Sequence, residues 1–188
     1  MKLSRTNVMT NIILLGTVSG VIAHAGDWTD PAEVRQEQKR CVSYRAKLDG
    51  AFLVIEATHE VGWHTYAMDN KERALEKLAG KKSLGIDGPT QFTLNGGLEL
   101  VGPWYQSPPK DFSKPELRWF SWGFEGRALF VAKVRRSGEG PARIAVRGQA
   151  CTETTCKNIE LELVLRLDDA REESQPSNID LKTLVQVR

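Results

Sequence analysis

The chain has 188 residues, 40% hydrophobic and 27% charged, a balance that excludes a disordered, collagenous or multi-span membrane protein and makes one domain the default. Its 26 Lys and Arg against 24 Asp and Glu leave a formal charge of only +2, too little to neutralise a run of phosphates, so a nucleic-acid partner is not expected.

The first residues carry an export signal in its usual order: Lys2 and Arg5 as a basic start, Ile12 to Ala23 as an apolar stretch, then Ala23-His24-Ala25 as a small-x-small cleavage site. The apolar stretch is shorter than the roughly 20 residues needed to span a bilayer. A signal peptide over 1–25, cleaved near Ala25, is therefore expected, and with it a periplasmic or secreted protein without stable membrane insertion. Removing Lys2 and Arg5 leaves equal numbers of basic and acidic residues. The compartment is an oxidising one, where cysteine pairs persist as disulfides.

Residues 26–41 form an N-terminal segment. Asp30 as a cap, Pro31 at the first helical position and Glu33 predict a short peripheral helix reaching Arg40. From Val42 the period changes to two: Val42, Tyr44, Ala46 and Leu48 alternate with Ser43, Arg45 and Lys47, and Asp49-Gly50 offers a hairpin turn before Ala51 to Thr58. A third strand is expected at Trp63 to Met68, after Gly62. Asn70 to Gly80 reads as one short inserted helix, with Ala74, Leu75 and Leu78 at helical spacing. Strand-like runs recur at Pro89 to Leu94, Leu98 to Val101, Arg118 to Phe124, Ala128 to Arg135, Ala142 to Gly148 and Ile159 to Leu167, separated by glycine-rich turns. Gly102 to Lys114, with three prolines and the aromatics Trp104, Tyr105 and Phe112, is expected to be a long loop, because proline cannot donate to a central ladder. Residues 168–188 read as a polar C-terminal tail whose Leu181, Leu184 and Val187 can dock. Many short alternating strands without a βαβ rhythm make the fold class all-β: an immunoglobulin-like antiparallel β-sandwich over 42–167 with one short inserted helix.

Cys41, Cys151 and Cys156 are the cysteines. Cys151 and Cys156 stand at the two mouths of one turn, which brings their sulfurs within bonding range. A loop this small restricts the unfolded chain by only about 2 kcal/mol, so the bond is a weak staple. A tight pair at the exposed end of a sandwich suits opening and closing by a partner thiolate, which must approach one sulfur nearly in line. The structural staple stays open beside that reading. Cys41 falls out of phase with the inward set from Val42, which places it off the core; a free or dimer-forming thiol is favoured over a buried inert one or a third redox partner. His59 and His64 with Cys151 and Cys156 make up a superficial zinc inventory. An odd separation puts the histidines on opposite faces of one strand unless the Gly62 turn intervenes, so no metal and no cofactor are expected. In strand phase Phe120, Trp122 and Phe124 share one face and Trp119 the other, so most of these aromatics read as core rather than a ligand platform.

Four segments carry a resemblance: Gly62-Trp63-His64-Thr65-Tyr66, Gly88-Pro89-Thr90-Gln91-Phe92, Gly102-Pro103-Trp104-Tyr105, and Gly148-Gln149-Ala150-Cys151 leading to Cys156. In this order, from about Val42 to Leu167, the chain resembles the N-terminal periplasmic domain of DsbD, the thiol:disulfide interchange protein. It departs from that pattern where Cys156 leads into Lys157-Asn158-Ile159 rather than a proline pair. The resemblance implies that Cys151 and Cys156 are redox cysteines, that Trp104 and Tyr105 lie in a cap loop shielding them, and that the domain is one link of a relay. Its electron donor would be a membrane-embedded thiol reductase and its acceptors thioredoxin-like periplasmic proteins. The competing expectation is a non-catalytic exported binding module of the same fold, its disulfide purely structural. No P-loop, nucleotide fingerprint or hydrolase elbow is present.

Overall fold

A computed structural model describes residues 28–79, 81, 88–167 and 177–188. The expected export signal therefore lies outside the described residues, as do Gly80 and most of the 168–178 stretch. The strands are β1 (Ala32–Gln36), β2 (Lys39–Asp49), β3 (Phe52–His59), β4 (His64–Tyr66), β5 (Gln91–Gly96), β6 (Leu98–Gln106), β7 (Lys110–Asp111), β8 (Trp122–Phe124), β9 (Arg127–Arg136), β10 (Ala142–Cys151), β11 (Cys156–Leu165) and β12 (Val185–Gln186), with one helix, α1 (Asn70–Lys77), after β4. One sheet runs β1-β2-β3-β9-β6-β12; the other runs β11-β10-β4-β8-β7, with β5 also on β10. All the strand pairs are antiparallel. The two sheets form the expected immunoglobulin-like sandwich, with α1 the one α-helix among the described residues.

Alternation builds the core. Tyr44 and Ala46 from β2, Leu53, Ile55 and Ala57 from β3, Phe130 from β9 and Ile144 and Val146 from β10 are all buried to 0% exposure. Phe130 sits at the centre, its ring 5.0 Å from Phe92 and 5.3 Å from Phe124. Crowded rings of this kind bury large apolar areas and favour edge-to-face contact. At Gly123 the backbones come closest, since a Cβ there would run into the Thr65 carbonyl. That position on β8 must be glycine.

The helix expected up to Arg40 is instead a hairpin. Glu37 takes a left-handed φ of 56° and, with Gln38, turns the chain between the paired Gln36 and Lys39. Tertiary pairing overrides the local capping pattern, because β1 gains a full ladder on β2 and buries Val34. The same ladder corrects the reading of Cys41. Val34 pairs with Val42 but Arg35 pairs with Arg40, so Cys41 is the extra residue of a β-bulge. A bulge resets the inward phase by one, which is why adjacent Cys41 and Val42 are both fully buried.

The expected loop from Gly102 is also a strand as far as Gln106. Leu100 pairs with Val134 and Trp104 with Ala132, so Val101, Gly102 and Pro103 bow out against Lys133 alone before pairing resumes. The bulge removes Pro103 from the ladder, and the missing N–H costs nothing. Only the last part of the Arg118 to Phe124 run is strand. A 3₁₀ turn at Pro115–Leu117 and a left-handed Arg118, with φ 52°, precede it. The C-terminal residues dock as β12 on the β6 edge, opposite Tyr105 and Gln106, with Val187 N–H donating to the Trp104 carbonyl.

A buried polar knot fixes α1 to both sheets. The Asp69 carboxylate accepts from Gln106 Nε2 at 2.6 Å and from Arg73 Nε at 2.8 Å, while Asn70 Oδ1 accepts from Trp122 N–H at 2.7 Å. Asp69, Asn70 and Gln106 are all fully buried. These bonds offset part of the desolvation cost of burying the three side chains, while Asp69 Oδ2 and Asn70 Nδ2 stay without a hydrogen-bond partner.

Candidate thiol–disulfide site

Cys151 is the last residue of β10 and Cys156 the first of β11, and the two stand directly opposite in the register of the pair. Their sulfurs are bonded, with the Cα atoms 4.0 Å apart. Between them Thr152 N–H donates to the Thr155 carbonyl at 2.8 Å, and Thr152 Oγ1 accepts from the Thr155 and Thr154 N–H groups at 3.2 and 3.3 Å. Threonine oxygens that satisfy local backbone donors hold a short turn closed without help from the bond. Cys151 is only 1% exposed and Cys156 is half-buried, so the two sulfurs are not equivalent toward solvent.

On its other side Cys151 pairs with His64 of β4. The His64 ring lies 4.9 Å from Phe112 and 5.5 Å, edge-on, from Tyr66. Burial holds the His64 pKa below the ordinary imidazole value, and the carboxylate of Glu125 pulls the other way. Glu125 is itself held low by its ion pair with Lys110. His64 and Phe112 are therefore the aromatic neighbours of the cysteine strand end. The sequence groups His64 with the cysteines only as part of a superficial zinc inventory, and Phe112 falls in no periodic run.

Trp104 and Tyr105, expected in a loop, lie on a strand. They belong to β6 in the opposite sheet, and the Trp104 ring packs 5.0 Å from Phe92. Phe92 stands opposite Val146, five residues back along β10 from Cys151 and roughly 16 Å away at the rise of an extended strand.

The Gly62 turn does intervene between the histidines: His59 ends β3 in one sheet and His64 begins β4 in the other. Both His59 nitrogens are engaged, Nδ1 with the Gly126 carbonyl at 2.9 Å and Nε2 with Thr65 Oγ1 at 2.8 Å. A carbonyl can only accept, so Nδ1 carries the hydrogen and Nε2 accepts from the threonine hydroxyl. This is a structural histidine held neutral. Burial depresses its pKa first, and the nearby His64 adds to that, against the Gly126 and Glu125 contributions.

A histidine depressed on folding binds more protons in the unfolded chain, so its stabilising effect is complete above the unfolded value of about 6.5 and is lost as pH falls below it. The melting temperature is expected to drop between pH 7 and pH 5, and to drop less in His59→Asn. Equal slopes for the two proteins in thermal melts across that range would remove His59 as the cause.

Cys41 takes no part in the disulfide; it is a free thiol with a pKa pushed up by burial. The Gln36 backbone and the charge of Lys157 offset part of that rise, which places Lys157, next to Cys156, within electrostatic reach of the β1–β2 bulge. No helix among the described residues is long and apolar enough to cross a membrane.

No family model and no curated protein matches the sequence. Among solved structures, the chain is similar to the N-terminal periplasmic domain of ScsB from Proteus mirabilis, with a TM-score of 0.53 and 13% identity over 84% of this chain. This chain spans 56% of that one. It is also similar to the reduced N-terminal domain of DsbD from Neisseria meningitidis, with a TM-score of 0.43 and 12% identity over 64% of this chain and 79% of that one. The likeness to the ScsB domain is one of architecture: this chain folds as the same kind of two-sheet antiparallel sandwich.

Proposed function

We propose that this chain is an exported thiol:disulfide exchange domain in which Cys151 and Cys156 take an electron pair from a membrane-embedded thiol reductase and pass it to thioredoxin-like periplasmic proteins. The observation that carries this reading is the bonded, register-opposed pair at a strand end, one cysteine buried and the other half-exposed. The sequence resemblance to the DsbD N-terminal domain supports it.

In this mechanism a donor thiolate attacks Cys156, the more accessible sulfur. The Cys151–Cys156 bond breaks, a mixed disulfide forms, and Cys151 leaves as a thiolate that takes up a proton. The donor's second thiolate then attacks its own sulfur in the mixed disulfide and releases Cys156. The donor departs as a disulfide, and two electrons and two protons have moved to this domain. Exchange with an oxidised client runs the same steps in reverse.

Trapping tests both the reaction and its order. In Cys151→Ser the Cys156 thiolate attacks the disulfide of an oxidised partner and releases that partner's second thiol, so a mixed disulfide through Cys156 should be visible on a non-reducing gel, whereas Cys156→Ser should give far less because Cys151 is buried. In glutathione buffers of graded potential the bond should open above about −300 mV, the limit below which inert structural disulfides lie. A bond that stays closed beyond that limit, with no adduct from either variant, rules the relay out.

A further inference from the structure

A cleft of about 390 Å³ opens beside the cysteine turn, lined by Arg35, Lys39, Arg40, Glu60, Val61 and Trp63. Its location follows from the chain path. Trp63 immediately precedes His64, the register partner of Cys151, and Arg40 precedes the Cys41 bulge that feels the charge of Lys157. The β1–β2 hairpin and the β3–β4 turn thus bring the cleft to the same end of the sandwich as the disulfide.

Three cations face one carboxylate in the lining. Arg40 pairs with Glu60 and with Glu33, and Glu33, just outside the lining, also pairs with Arg35, so both arginines are already compensated. Lys39 has no ion pair among the described residues, nor has Lys157 beside Cys156. Glu37 and Glu153 lie outside the cleft, on the hairpin tip and the cysteine turn. The apolar part consists of Trp63, half-buried against the core, and Val61, fully exposed at the turn. In a chain whose total charge is close to zero, this cationic lining is a local feature and not a reflection of general basicity.

Resting on the exchange reading above, we infer that this cleft is the docking site for an acidic segment flanking the reactive cysteine of the protein that exchanges with Cys156. Its carboxylates meet Lys39 and the outer faces of Arg35 and Arg40, and an apolar side chain lies against Val61 and Trp63. The contact lets the partner thiolate approach Cys156 while its flank is held, and charge complementarity raises the rate of encounter.

Three pentapeptides test this, each with one cysteine between pairs of glutamate, serine or lysine. The peptide thiolate attacks Cys156, the protein disulfide breaks, and a mixed disulfide and a Cys151 thiol result. Comparing wild type with Lys39→Glu for each peptide cancels the peptide's own reactivity. At low salt the glutamate peptide should react about tenfold more slowly with the variant, the lysine peptide faster, and dithiothreitol equally with both, with the contrast shrinking once ionic strength shortens the Debye length. Equal glutamate-peptide rates on the two proteins overturn the inference. If dithiothreitol cannot open the wild-type bond, the exchange reading fails, and the S-methylated glutamate peptide then decides the cleft by itself. Amide shifts at Lys39 and Trp63 that are lost in Lys39→Glu support it, and their absence sinks it.

Discussion

Replacing both Cys151 and Cys156 by serine should abolish electron transfer completely while leaving the sandwich folded. The turn does not depend on the bond, because the β10–β11 ladder is paired continuously from Ala142 opposite Leu165 to Cys151 opposite Cys156, and Thr152 closes the loop with its own hydrogen bonds. Loop-closure entropy for so short a span amounts to about 2 kcal/mol. Serine at position 151 adds a buried hydroxyl that costs a further ~1–3 kcal/mol unless it finds a partner. Thermal melts followed by circular dichroism should therefore show a lower but cooperative transition, and exchange with any thiol partner should be absent. A binding module with a structural disulfide behaves differently: the double variant keeps its partner at unchanged affinity. Retained partner function in that variant would eliminate the relay.

The largest stability effect is expected at Phe130. Its side chain is fully buried at the centre of β9 and touches the rings of Phe92 and Phe124. Phe130→Ala removes those contacts and leaves a cavity that rigid flanking strands cannot close, a loss of about 3–5 kcal/mol. Against a total stability of roughly 5–15 kcal/mol, that is enough to populate unfolded chain near physiological temperature. Denaturant titration should show the midpoint falling with little change in slope. A loss under about 1 kcal/mol would mean that the three rings do not form the centre of the core.

Legibility of the site was uneven for identifiable reasons. The cysteine turn could be read because both of its determinants are local: a short spacer and a strongly alternating strand that begins at once after Cys156. The neighbours of the disulfide could not. His64 reaches Cys151 only because β4 pairs with β10, and Phe112 reaches His64 only because β7 pairs with β8, contacts across long separations that leave no trace in spacing. Arg35, Lys39 and Arg40 likewise fall in a segment expected as a helix, and only the hairpin folds them around Trp63.

The amino-acid order by itself determined the all-β class, the inserted helix, the inward face of β2 and the adjacency of Cys151 and Cys156. Each of these follows from period-two or helical spacing and from turn chemistry, which act over a few residues. Only the tertiary structure decided that residues 32–36 form a strand, that Cys41 faces inward, that Trp104 and Tyr105 belong to a ladder and that the C-terminal residues complete a sheet. The first three turn on hairpin and bulge geometry. A bulge shifts the inside-outside phase or lifts a proline out of the ladder, and where it falls is set by hydrogen-bond pairing with a distant strand, which local propensity does not encode.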